Sequence, residues 1–284
     1  MSLFRAEFPV ENYDLATTLG SGQTFRWRQT EGAWTGVAHD RWVRLSAAPG
    51  RIIAETAAPV SNWDWMRHYL QLDVDLAQIV GTFPIDEPMQ AAVRACVGLR
   101  LLRQEPWECL ASFICSSSKQ IVQIEQIVAL LSERFGEPID VPDGHAPAYS
   151  FPGCARLAGL PETALRECKL GFRAPYIRGA AQLVADGTVD LAGLHQLTLT
   201  EARTELLKLP GVGEKIAHCV LLFAFGFPAA FPVDVWIMKT LRRHYFPRRR
   251  ANPARLKRFV ETHFGPHSGY AQQYLFHHAR TKEP

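Results

Sequence analysis

The period of hydrophobic and polar positions changes once along this chain. Over the first sixty residues, short segments rich in aromatic and β-branched residues follow one another: "QTFRWRQ", "AWTGVAHD", "RWVRLSAA" and "RIIAETA". Turns at Glu31-Gly32 and Pro49-Gly50 separate them, and the Phe25/Trp27 and Trp42/Val43 patterns mark a covered face. That arrangement predicts an antiparallel sheet. From about Asn62 the apolar spacing becomes three and four. "NWDWMRHYLQL", "EPMQAAVRACVG", "PWECLASFICSSS" and "IVQIEQIVALLSERFG" predict helices. A Pro/Gly-rich passage from Pro138 to Gly153 reads as a loop. Helical runs resume at "PETALRECKLG", "APYIRGAAQLVADG" and "TLTEARTELLKL", and there is no internal repeat. The fold class is therefore α+β. An N-terminal antiparallel β-sheet domain with flanking helices, residues 1–88, is expected to pack on an all-helical domain, residues 89–284.

Composition narrows the class. The 284 residues are 47% hydrophobic and 21% charged, as in globular proteins. No apolar run approaches the roughly 18 residues of a membrane span, so no membrane association is expected. The N-terminus lacks a basic segment leading into an apolar one, so no secretory signal is read. Cysteines at 96, 109, 115, 154, 168 and 219 form no CxxC pair. This argues against zinc and against an iron–sulfur cluster, and scattered thiols fit a reducing cytosol. Net charge is only +3, but "KTLRRHYFPRRRANPARLKR", from Lys239 to Arg258, holds nine Lys or Arg and no acid. Such a run is either a solvated face or a surface that meets phosphates.

One stretch poses a chemical question. "LPGVGEKIAHC", residues 209–219, reads as a tight hairpin between two helices, spanning about 198–225. Gly211 and Gly213 can adopt positive φ, and a glycine turn at a helix start is a seat for a phosphate. Lys215 then lies in the first turn of a strongly apolar helix. Burial and the helix dipole both disfavour an ammonium there. A neutral lysine is a nucleophile that forms Schiff bases. Taken alone, a lysine reaching to solvent from the first turn fits better. Nineteen residues on, Asp234 in "FPVDVW" is placed to cap a helix, its carboxylate held low in pKa by N–H donors. It would stabilise a developing oxocarbenium ion.

Hairpin, lysine, Gly/Pro-rich link and "PVDV" together resemble the helix–hairpin–helix, Gly/Pro, Asp superfamily of DNA glycosylases. "SGQTFRW", "YLQLDVDLAQI", "LLRQEPWECLASFICSSS", "LGFRAPYI", "LPGVGEKIAHC" and "GYAQQYLF" resemble, in the same order, the 8-oxoguanine DNA glycosylase/AP lyase family. The likeness runs from about residue 10 to residue 280. It implies that Lys215 attacks C1′ of the damaged nucleoside and that Asp234 supports the cationic transition state. It implies a flipped base held between Cys219 and Phe276, with Phe223 also at the pocket and Gln272 reading the Watson–Crick edge. The Gly22 carbonyl would accept from N7–H of 8-oxoguanine and meet only a lone pair on guanine. Leaving that acceptor unsatisfied costs about 1–3 kcal/mol.

The same resemblance makes Phe172 a wedge into the base stack and sets Arg173 against the orphaned partner base, with Gly211 and Gly213 meeting DNA phosphate. It gives the carbonyls of Leu207, Leu209 and Val212 a monovalent cation; no other cofactor is implied. Three asparagines usual in the family are Ser118, Lys119 and Gln120 here, and the arginine that reads the partner cytosine is Gln123. A histidine and its carboxylate partner are Trp236 and Ala279. Ser118 would fill the gap left by the flipped base less well, and selectivity for cytosine would loosen. The implied partner is double-stranded DNA containing oxidised guanine, bound by a monomer. A cytoplasmic, nucleoid-associated location is expected, or a nuclear one in a eukaryote. Two other readings stand beside it. A monofunctional glycosylase for alkylated bases needs no Lys215. A non-catalytic DNA-binding module gives no reason for Asp234, Gln272 and Phe276 to accompany the hairpin.

Overall fold

The computed structural model describes residues 3–246 and 252–282. Strands β1 (Phe4–Pro9), β2 (Arg28–Thr30), β3 (Ala33–Ala38), β4 (Arg41–Ala48) and β5 (Arg51–Thr56) form one antiparallel sheet in the order β1-β5-β4-β3-β2. His39 and Asp40 join β3 to β4 at φ 48° and 57°, a backbone whose twist suits a two-residue hairpin loop. The period-two pattern does what it predicts. Val43, Leu45, Ile52 and Ala54 are buried, while Arg44 and Glu55 pair across the register at 3.1 Å.

Two strand expectations change. "QTFRWRQ" supplies only Arg28 and Gln29 of β2, because the Gln23 backbone and side chain bond to other parts of the chain rather than to a ladder. Strand β1 goes unread because only Phe8 of its six residues is buried. The expected loop at 138–153 contains a two-residue pairing of Pro138–Ile139 with Ala148–Tyr149.

Two apolar cores result. Leu15, Leu19, Met66 and Leu70 close over the sheet with Val43, Leu45, Ile52 and Leu102. A larger core joins the helices from Leu76 onward, among them Pro106–Cys115, Ile121–Phe135, Ala174–Ala185, Glu214–Phe223 and Ser268–Lys282. Helix Glu87–Ala95 straddles the expected division at residue 88 and packs on Ser268–Lys282.

Gln23, fully buried, ties the two parts together. Its Nε2 donates to the Thr18 carbonyl (2.9 Å), Ser21 Oγ (3.1 Å) and the Arg100 carbonyl (2.8 Å), and its Oε1 accepts from Leu102 N–H at 2.8 Å. A buried amide so fully used is costly to remove, since its partners are left without water. Gln23→Leu should therefore destabilise by about 2–4 kcal/mol. Chemical denaturation checks this; an unchanged midpoint would contradict the role.

Candidate active site

The hairpin is built from local signals. Helix Leu199–Leu206 opens with a reciprocal cap: Glu201 N–H donates to Thr198 Oγ1 at 3.3 Å, and Thr198 N–H donates to Glu201 Oε2 at 2.9 Å. The chain turns through Leu209 and Val212, whose N–H bonds the Leu209 carbonyl at 3.1 Å. Gly211 has φ +79°, and a Cβ there would lie 2.7 Å from Tyr176 Cβ. Gly213 departs from expectation. Its φ of −105° is ordinary, it faces open space, and it serves as the N-cap of helix Glu214–Phe223. Gly211 alone of the pair uses left-handed backbone.

That helix buries Ile216, Ala217, Val220, Leu221, Leu222 and Phe223. Lys215 is half-buried rather than sealed, because it lies on the edge of the apolar stripe. Its Nζ donates to Ser116 Oγ at 3.1 Å and sits 5.2 Å from the Phe113 ring centroid. Ser116 spends its own hydrogen on the Phe113 carbonyl at 2.6 Å, which leaves its oxygen to accept.

Asp234 caps helix Val235–His244, its Oδ1 accepting Ile237 N–H at 2.8 Å. The expectation of a carboxyl held low is overturned. Burial pushes its pKa up, and the Ile237 N–H and the Lys215 charge oppose that shift without cancelling it. Desolvation outweighs the cap because the carboxyl lies inside a cleft rather than on an open helix end.

A cavity of about 1080 Å³ collects most of the expected residues: Gly22, Ser118, Gln123, Gly211, Gly213, Lys215, Cys219, Phe223, Asp234, Gln272 and Phe276. Gly22 has φ +79°, and a Cβ on it would lie 2.7 Å from Ile121 Cδ1, so a side chain there would be strained and would crowd the cavity wall. Cys219 is a thiol, its pKa pushed up to about 11 by burial against the opposing pull of Lys215. Phe223 stacks on Phe113 at 5.6 Å between centroids. Gln272 is buried, and its Oε1 has no hydrogen-bond partner. Ser118 is exposed at φ +54°. Gln123 is exposed too, and its Oε1 caps the N–H of Gln120 at 3.2 Å.

Phe172, Arg173, Leu207, Leu209 and Val212 lie outside the cavity lining. Phe172 projects with 56% exposure, while Arg173 beneath it is buried, its guanidinium 4.1 Å from the Phe172 ring centroid. Of the basic run, Arg248, Arg249 and Arg250 lie outside the described residues. Trp236 lines the cavity, with Lys239 Nζ 5.8 Å from its ring centroid. Sequence reasoning missed Ser116 and Arg280. Ser116 carries no signal of its own, but Arg280, four after Phe276, shares its helix face, and that spacing could have revealed it. Among the described residues no group of three or more His, Cys, Asp or Glu could hold a metal ion, and no helix is long and apolar enough to cross a membrane.

Comparison with known proteins adds to this geometry. A family model described as "8-oxoguanine DNA glycosylase, N-terminal domain" matches residues 5–110, and one described as "HhH-GPD superfamily base excision DNA repair protein" matches residues 111–266. A "Probable N-glycosylase/DNA lyase" of Methanothermobacter thermautotrophicus is 31% identical, over 96% of this chain and 95% of its own. The structure of MBOgg1 with a low-affinity DNA ligand superposes with a TM-score of 0.93 at 34% identity, covering 100% of both chains. The 8-oxoguanine glycosylase/lyase of Clostridium acetobutylicum, in complex with double-stranded DNA containing cytosine opposite 8-oxoG, superposes at 0.91 with 30% identity. That match covers 97% of this chain and 94% of the other.

The strained carboxyl yields a stability prediction. A carboxyl whose pKa the fold raises costs stability when ionised. The cost is full above its folded pKa and vanishes below the ordinary aspartate value of about 3.9. Asn keeps the helix cap without the charge. Asp234→Asn should therefore melt above the parent at pH 7, and the gain should shrink as pH falls. Thermal melts across that range check it; a gain that grew on acidification would contradict the assignment.

Proposed function

The chain belongs to the 8-oxoguanine DNA glycosylase family of HhH-GPD base excision repair proteins, and on that premise we propose that it excises 8-oxoguanine from duplex DNA and nicks the strand through a Schiff base on Lys215. The observation that carries the assignment is convergence: an amine, a half-buried carboxylate, a glycine whose carbonyl accepts no hydrogen bond from the described residues, and an amide with an unpartnered oxygen line one cavity.

The reaction divides by residue. The target nucleotide leaves the stack and enters the cavity, since its C1′ is out of reach inside a duplex. The Lys215 amine attacks C1′, the N-glycosidic bond breaks and the base departs with its electron pair. The proton that the amine loses neutralises the departing base, and the sugar ring opens to a protonated imine on Lys215 as its ring oxygen takes a proton from water. Loss of a C2′ proton then expels the 3′ phosphate, which is the nick. Asp234 stabilises the positive charge that develops on the sugar, and being poorly solvated it acts strongly there.

Recognition divides similarly. Cys219, a neutral polarisable thiol, and Phe276 hold the base between them, with Phe223 behind. Gln272 reads the Watson–Crick edge with an amide oxygen that no protein group claims. Gly22 accepts from N7–H. Outside the cavity, Phe172 wedges into the stack, backed by the Arg173 guanidinium, which would emerge from beneath it to meet the orphaned base. Gly211, Gly213 and the helix start behind them seat a backbone phosphate. The carbonyls of Leu207, Leu209 and Val212 are candidate ligands for a monovalent cation; that of Leu209 already accepts one N–H and keeps one lone pair. A monomer on double-stranded DNA suffices for all of these contacts.

Incubation with an 8-oxoguanine:cytosine duplex and borohydride should give a covalent protein–DNA adduct, absent in Lys215→Gln. Base release without an adduct would point to a monofunctional enzyme, and binding alone to a non-catalytic module. Gln123→Arg should sharpen preference for cytosine opposite the lesion by roughly tenfold, within the worth of one base-reading contact. Excision from a panel of opposite bases measures it; equal partner ratios before and after would refute it.

A further inference from the structure

Four consecutive carbonyls around Gly22, the residue of the four that lines the cavity, differ in how they are occupied. The Gly20 carbonyl accepts from Arg280 Nη2 at 2.7 Å. That of Ser21 accepts from Gln273 Nε2 at 3.2 Å, and that of Gln23 from Gln104 Nε2 at 2.7 Å. No donor among the described residues reaches the Gly22 carbonyl between them. Two of the three donors come from helix Ser268–Lys282, which also carries Gln272 and Phe276. Gln273 is buried, and Arg280 is half-buried on the cavity wall, its guanidinium 5.6 Å from the Phe276 ring centroid. A Cβ on Gly22 would come within 3.0 Å of Arg280 Nη1. One guanidinium thus touches both the aromatic wall and the loop that carries the bare carbonyl.

From this geometry we infer that Arg280 and Gln273 are positioning residues for lesion discrimination, fixing the Gly20–Ser21 carbonyls so that the Gly22 carbonyl stays unbonded and aimed into the cavity. The inference rests on reading the cavity as an 8-oxoguanine pocket. Its physical basis is rigidity. A carbonyl rejects a lone pair only if it cannot turn aside, and glycine at positive φ is the residue most able to turn. Pinning both preceding carbonyls removes that freedom before the base arrives, so no ordering cost falls on binding. The pins reach from the helix that holds the base itself, which keeps the N7 reader in register with the Watson–Crick reader.

The test measures discrimination separately from chemistry. In a Lys215→Gln background, binding to 8-oxoguanine:cytosine and guanine:cytosine duplexes is titrated for the parent and for Arg280→Met, Arg280→Lys and Gln273→Met. Arg280→Met and Gln273→Met should each lower the preference for the lesion by about tenfold while leaving guanine:cytosine binding within about twofold. Arg280→Lys, which can still donate to the Gly20 carbonyl, should recover part of the loss. With Lys215 intact, nicking of a duplex with a preformed abasic site should stay within about twofold of the parent, because no base is read there. Equal weakening of both duplexes would make Arg280 a phosphate contact and overturn the inference, as would an unchanged preference. Should Arg280→Met fail to fold, Arg280→Lys and Gln273→Met carry the same test. A parent without preference for the lesion would sink the functional reading, and the positioning role with it; a preference that only the variants lose separates the two.

Discussion

The burial of helix Glu214–Phe223 sets the geometry on which the cavity depends. Its apolar residues Ile216, Val220, Leu221, Leu222 and Phe223 face the helical core, each stabilising by about 1.5–3 kcal/mol when fully covered. That stripe admits one rotation of the helix. Lys215 then falls at the stripe's edge, open to the cavity, and Cys219, one turn on, points the same way. A rotation by one residue would bury the amine or expose an aromatic ring. Opposite stands Asp234, whose raised pKa measures a cost that the fold tolerates. A better-solvated carboxylate would be more comfortable and, in the role proposed for Asp234, would stabilise the sugar cation less.

Much of this was legible in the sequence, for identifiable reasons. The sheet showed through period-two alternation wherever one face was covered, and failed at β1, where five of the six residues are not buried. The hairpin showed through glycine and proline followed by an apolar run. Lys215 stood out because a cation at a helix start contradicts the dipole, and Asp234 because it precedes a periodic segment. Tertiary desolvation was not legible, so the direction of the Asp234 shift was misjudged. Ser116 supports Lys215 from ninety-nine residues away, and local pattern carries no information at that range. Gly22 was visible as a glycine, but its unoccupied carbonyl follows from donors at Gln104, Gln273 and Arg280 that only the fold brings near.

The departures from the family pattern also have physical readings. Ser118 adopts φ +54°, a region that asparagine tolerates far better than most residues. The family's asparagine there suits the backbone as well as any contact, and serine keeps the turn with a shorter reach. Gln123 is engaged in capping its own helix, which an arginine could not do by accepting. Trp236 and Ala279 replace a charged pair with an aromatic wall and a methyl group, and Lys239 lies over the indole. On the proposed reading, the cavity keeps the lesion-side residues that the resemblance implies and lacks some of those for the opposite strand.

On the proposed reading, Gly22 and the bond-breaking groups are rooted in different bodies of the molecule. The loop with Gly22 leaves the helix of Leu15 and Leu19, in the sheet's core, whereas Lys215 and Asp234 hang from the helical one. The buried Gln23 amide spans the seam. Any loosening there, by heat or by a distant core mutation, would shift the sensor against the blade before either lost its own fold. If Gly22 reads the lesion as proposed, such a protein would still cut DNA but with poorer judgement, attacking sound guanines. For the cell that houses it, a frayed seam would be worse than an inactive enzyme, because a repair tool would have become a source of mutation.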